Sequence, residues 1–149
     1  MTQATLRRPA TQRRARATRL IPDRHGSVQD VLLETLRSEG ATPGLQQRLR
    51  RYAPFLAAEF DEEEGPGGAL GEVLEQAPRF AARVEACRRE HSEILGRLRE
   101  LVRHLERESP DSERTWWLRR ALYDALRRHR RRENDLVLDA HYLDLGGEG

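Results

Sequence analysis

Glu59 and Glu63 stand four residues apart, and so do His129 and Glu133. On a helix that spacing puts two side chains on one face, a single turn apart, where they can chelate a cation together. Each pair also lies in a row of apolar residues that steps by threes and fours. One row reads Leu45, Leu49, Tyr52, Leu56, Glu59, Glu63; another reads Leu118, Leu122, Ala125, His129, Glu133, Leu136, Ala140. A third, Phe80, Val84, Cys87, His91, Ile94, Leu98, Leu101, Leu105, contains His91. A fourth, with Val28, Val31, Leu32 and Leu36, reaches His25 when stepped backwards from Leu32 and Val28. An ionised carboxylate buried without a partner costs several kcal/mol, so six ionisable groups on core-facing stripes need a common explanation. Either they meet one another and a cation, or the interior is open and wet at that level. Three imidazoles and three carboxylates, without sulfur, suit iron or manganese, and zinc is also accommodated. A carboxylate pair can bridge two metals in a bundle core.

The elements that must position these groups are helical. Breaker clusters at 38–44, 65–68 and 109–112 divide the chain, and few β-branched residues lie between them. The spacing predicts helices over 26–38, 44–63, 78–107 and 112–141, with a short helical turn at 69–76. Pro78 falls in a first turn, where its missing N–H costs nothing, and Ser112 or Asp111 can cap the last helix. Four amphipathic helices joined by short loops predict an all-α, antiparallel up-down four-helix bundle. From His91 to its helix end is 16 residues, and from the next helix start to His129 is 17, so antiparallel packing brings the two to one level. By the same count, His25 and Glu59 come level across the first helix pair. His104 and His141 fall off that level and read as structural or surface groups. Cys87 reads as a small core residue.

Composition narrows the class. The 149 residues allow a single domain, and no apolar run approaches the length of a membrane span. A single cysteine excludes an intramolecular disulfide framework and a thiolate zinc cluster. All 27 basic residues are Arg, which we read as codon bias of a GC-rich genome. The charge is divided: residues 1–24 hold seven Arg and one acid, the remainder 20 Arg and 24 acids. We therefore expect a disordered, basic tail over 1–22 ahead of a bundle over 23–149. A solvated tail is the plainer reading and binding of nucleic acid the alternative. No apolar run follows the tail arginines, so a cytoplasmic rather than secreted protein is expected.

Four segments resemble parts of hemerythrin-like (HHE) domains. Leu56-Ala57-Ala58-Glu59-Phe60-Asp61-Glu62-Glu63-Glu64 is similar to that family's His-Phe-x-x-Glu-Glu pattern. Arg88-Arg89-Glu90-His91-Ser92-Glu93-Ile94-Leu95 resembles its third-helix histidine segment, and Leu126-Arg127-Arg128-His129-Arg130-Arg131-Arg132-Glu133 its fourth-helix His-x-x-x-Glu. The ending Ala140-His141-Tyr142-Leu143-Asp144-Leu145-Gly146-Gly147 is similar to that of bacterial single-domain members. The resemblance covers about 25–149 and implies a four-helix bundle with a non-haem di-iron centre. Carried over position by position, the ligands would be His25, Glu63, His91, His129 and Glu133. The sequence departs from the pattern in holding Glu59 at the second-helix histidine position and Leu95 one turn after His91. Fewer imidazoles favour the oxidised metal and weaken reversible dioxygen binding.

The expectation is an iron-binding protein that meets a small ligand such as dioxygen or peroxide and serves oxygen or redox sensing, or iron handling. Glu59 would be a sixth ligand or an outer acceptor. A ferroxidase-like enzyme on the same ligands is one alternative. Another is a metal-free helical module that binds an anionic partner through its Arg-rich tail and the 127–132 face.

Overall fold

The computed structural model describes residues 27–37 and 44–143. The predicted disordered tail over 1–22 and the predicted ligand His25 lie outside the described residues. Among the described residues, the helices are α1 (Val28–Arg37), α2 (Leu45–Glu64), α3 (Ala69–Gln76), α4 (Ala81–Leu105) and α5 (Ser112–Leu143), with a 3₁₀ turn at Pro78–Phe80 leading into α4. The long helices form the expected antiparallel four-helix bundle. Each packs on two neighbours, in the cyclic order α1, α2, α4, α5. Ion pairs at both ends of the α4–α5 seam fix its direction: Arg83 near the start of α4 meets Asp139 near the end of α5, and Arg114 meets Glu100 at the other end.

Most of the stripes read from the sequence are the buried faces. Leu45, Leu49, Leu56, Leu101, Leu122 and Leu126 are fully buried, and Leu98 and Ile94 nearly so. Val31 is a correction, being exposed; the turning face of α1 instead buries Gln29, Leu32, Thr35 and Leu36. Pro78 opens a 3₁₀ turn rather than the α-helix itself. Asp111 supplies the cap of α5, its Oδ1 accepting the Arg114 backbone N–H at 2.6 Å. His104 is structural, as expected: its Nε2–H points at the Thr115 hydroxyl (2.9 Å) and the Asp111 carbonyl (3.2 Å), tying α4 to the start of α5.

The core is split into two apolar layers. The larger gathers Leu32, Leu49, Leu56, Phe60, Ile94, Leu98 and Leu126 with their neighbours from all four long helices. The smaller contains Leu70, Val73 and Ala77 with Val84, Cys87, Leu136 and Ala140, so α3 closes one end of the bundle. The turn before α3 folds tightly against the last turn of α2. A Cβ on Gly68 would collide with the carbonyl oxygens of Glu62 and Glu63.

Leu98→Ala should therefore lower unfolding free energy by about 2–5 kcal/mol in a denaturant melt. Gly68→Ala should cost about 1–3 kcal/mol by overpacking, because backbone rather than a yielding side chain blocks the new methyl. A melt unchanged from wild type would contradict this packing.

Candidate metal centre

Between the two apolar layers lies one polar level. His91 on α4 and His129 on α5 enter it from adjacent helices and are almost wholly buried, at 2% and 0% exposure. Their Nε2 atoms face each other at 3.0 Å. Glu63 Oε2 lies 3.3 Å from His91 Nε2, and Glu133 Oε2 lies 3.3 Å from His129 Nε2. One ligand atom from each of these four residues lies within 4.8 Å of the other three. Phe60 stacks on the His91 ring, with centroids 3.9 Å apart and planes 7° from parallel, and holds its orientation.

The other nitrogen of each ring is already engaged. His91 Nδ1 is 2.6 Å from Glu64 Oε1, and His129 Nδ1 is 2.9 Å from Glu90 Oε2. A carboxylate oxygen accepts, so each Nδ1 carries its proton and donates it. Carboxylates that take Nδ1–H in this way are the partners that fix metal-binding imidazoles, with the Nε2 lone pair left for the ion. Two lone pairs 3.0 Å apart repel, so a proton or a cation must lie between them. The same contact explains why Glu63 Oε2 is buried with no hydrogen-bond donor. Edges of about 3.0 Å are also what neighbouring ligands on one ion present when its bonds are about 2.1 Å. The contacts of 3.0–3.3 Å among the four residues are those of neighbouring ligands on a single transition-metal cation.

Of the six predicted residues, Glu63, His91, His129 and Glu133 are brought together. Glu59 is displaced from them, its Oε1 accepting the Ser27 hydroxyl at 2.7 Å while Oε2 is buried without a partner. Glu64, not among the six, holds His91 at Nδ1. Two arginines of the 127–132 face take structural partners: Arg132 pairs with Glu90 and Arg130 with Asp30. Sequence reasoning also missed Gln29, whose Nε2 donates to Glu63 Oε1 at 3.1 Å. Stepping four residues from His25 leads to Gln29, a signal obscured by apolar Val28 beside it. Glu64 and Glu90 gave no periodic signal, since each sits one position beside a stripe.

Protonation follows the geometry. Burial opposes charge on His129, yet hydrogen bonds and charge from Glu133 and Glu90 outweigh it and raise its pKa above 6.5. Burial is the main cause of a raised pKa at Glu63; the His91 contact opposes it, and the charges of Glu133 and Glu59 add to it. Burial, with Glu90 and Glu133 nearby, pushes the Cys87 thiol up to about 11.

Glu63 and His129 bind protons more tightly in the folded chain than in the unfolded one. In chelator-treated protein their stabilising contribution should be complete below the unfolded values and be lost as pH rises through the folded ones. The melting temperature of metal-free protein should therefore fall as pH rises, first above about 4.5 as Glu63 loses its proton and then above about 6.5 as His129 does. Metal must displace those protons, so the gain in melting temperature on adding metal should grow over the same rise in pH. A metal-free profile that rises with pH would contradict the assignment.

The family model for the hemerythrin HHE cation-binding domain matches residues 16–140. No curated protein and no solved structure matches the chain. The match spans the four long helices and the polar level they enclose, and the chain belongs to the hemerythrin HHE cation-binding domain family.

Proposed function

We propose that this chain holds a non-haem iron centre through His91, His129, Glu63 and Glu133 and uses it for oxygen or redox sensing or for iron handling. The observation that carries the reading is the pair of buried imidazoles with both Nδ1–H groups held by carboxylates and both Nε2 atoms turned on one point. Two imidazole nitrogens and two carboxylate oxygens suit iron, and manganese or zinc compete for such a set. Bound iron supplies an exchangeable position for dioxygen or peroxide and a one-electron couple. The protein's part is to hold the donors, to keep His91 oriented through Phe60 and Glu64, and to exclude bulk water with the apolar layers on either side.

A dinuclear centre would draw on Glu59 and His25 for the second ion. Its support is chemical: Glu59 Oε2 and Gln29 Oε1 are both buried without partners, beside Glu63. Ser27 and Gln29 would then set the carboxylates of α2 from the α1 side.

Metal analysis and an optical spectrum of purified protein test the reading. Wild type should carry iron, and His129→Ala and Glu133→Ala should lose most of it while remaining helical by circular dichroism. Unchanged iron in both variants would remove this centre from consideration.

A further inference from the structure

We propose that Cys87, Glu90 and His129 form a second, sulfur-containing metal site that takes a borderline divalent cation such as zinc on the opposite side of the His129 ring from the seam centre. Cys87 and Glu90 lie three residues apart on α4 and so share a face, and His129 meets them from α5. One ligand atom from each of the three lies within 4.8 Å of the other two. Tetrahedral bonds of about 2.0–2.3 Å put ligand atoms roughly 3.3–3.7 Å apart, so a small side-chain adjustment closes the three on one ion. Cys87 and His129 are buried, at 3% and 0% exposure, and the Cys87 thiol has no role in the seam centre. The 2.9 Å gap between His129 Nδ1 and Glu90 Oε2, filled by a proton in the metal-free chain, becomes an edge of the new coordination sphere. Arg132 keeps the second oxygen of Glu90 in place.

The donor set differs in kind from that of the seam. A thiolate, an imidazole and a carboxylate, with a fourth position open, favour zinc, cobalt or cadmium over iron in an oxygen-rich site. Binding releases the thiol proton and the Nδ1 proton to water, and the ion takes the two lone pairs they leave. The proton that lies between the two Nε2 atoms in the metal-free chain then stays on His129 Nε2, facing His91. A neutral imidazole has one lone pair, so an ion on Nδ1 removes His129 from the seam centre. The two sites therefore compete for one ring. That competition rests on the iron reading above; the existence of the thiolate site does not.

Cobalt(II) is the probe, because a cobalt–thiolate bond gives a near-ultraviolet charge-transfer band that nitrogen and oxygen ligands do not. Chelator-treated wild type and Glu133→Gln should both show the band on cobalt addition, the second because it weakens only the seam centre. Cys87→Ser should lose it, and Cys87→Ala, which leaves the apolar layer apolar, should lose it equally. Both should still load iron, and prior zinc should depress iron loading more strongly in wild type than in the Cys87 variants. Absence of the band in wild type at saturating cobalt, or its persistence in both Cys87 variants, would overturn the site. Absence of iron from wild type alongside a thiolate band would instead overturn only the seam reading.

Discussion

The structure turns on two imidazoles buried at hydrogen-bond distance in a helical core, with nothing but a proton or an ion able to lie between them. His91 and His129 meet through Nε2 at 3.0 Å. In an interior of leucine and phenylalanine, that contact is tolerable only if charge is matched around it. Glu64 and Glu90 take the outward N–H of each ring, and Glu63 and Glu133 approach the inward nitrogens. Remove the carboxylates and the histidines become a buried liability. Remove the histidines and four acids converge on one level. Each half of the arrangement makes the other affordable.

The bundle makes this level possible by interrupting itself. Leucines from all four long helices close one side, and α3 with its partners closes the other. The stripes on α4 and α5 continue through the polar level without losing register, so each histidine replaces a core residue instead of breaking a helix. His91 falls between Cys87 and Ile94, and His129 between Ala125 and Leu136, as the steps of three and four require. Family membership accords with this design, for a cation-binding bundle needs donors gathered at one level with hydrocarbon above and below them.

Much of the fold was legible because burial imposes a period. The seam positions of α4 and α5 could be counted from one apolar residue to the next, and counting from helix ends placed His91 and His129 level. The site was legible only where its residues obeyed that period. Glu63 and Glu133 did. Glu64 and Glu90 lie one step to the side, where a carboxylate looks like any exposed acid, and only the three-dimensional approach of another helix gives them a partner. Val31 misled for the converse reason: on the short α1, an apolar residue at a plausible step faces solvent while polar Gln29 turns inward. Nothing in a one-dimensional pattern separates those two, because the choice depends on the rotation at which α1 docks against α2 and α5.

The placement of Glu63 at the very end of α2 has one more effect. The last turn of that helix is Asp61-Glu62-Glu63-Glu64, with no basic residue among the four. Backbone carbonyls there expose the negative pole of the helix macrodipole, which disfavours anions by roughly 0.3–1 kcal/mol each near a surface. The acidic terminus is therefore electrostatically frustrated by its own backbone. A cation captured at Glu63 would relieve that frustration as well as coordinate, so occupancy and the order of the α2 terminus would be coupled, with the glycine turn behind it transmitting the change to the short helix that closes the bundle.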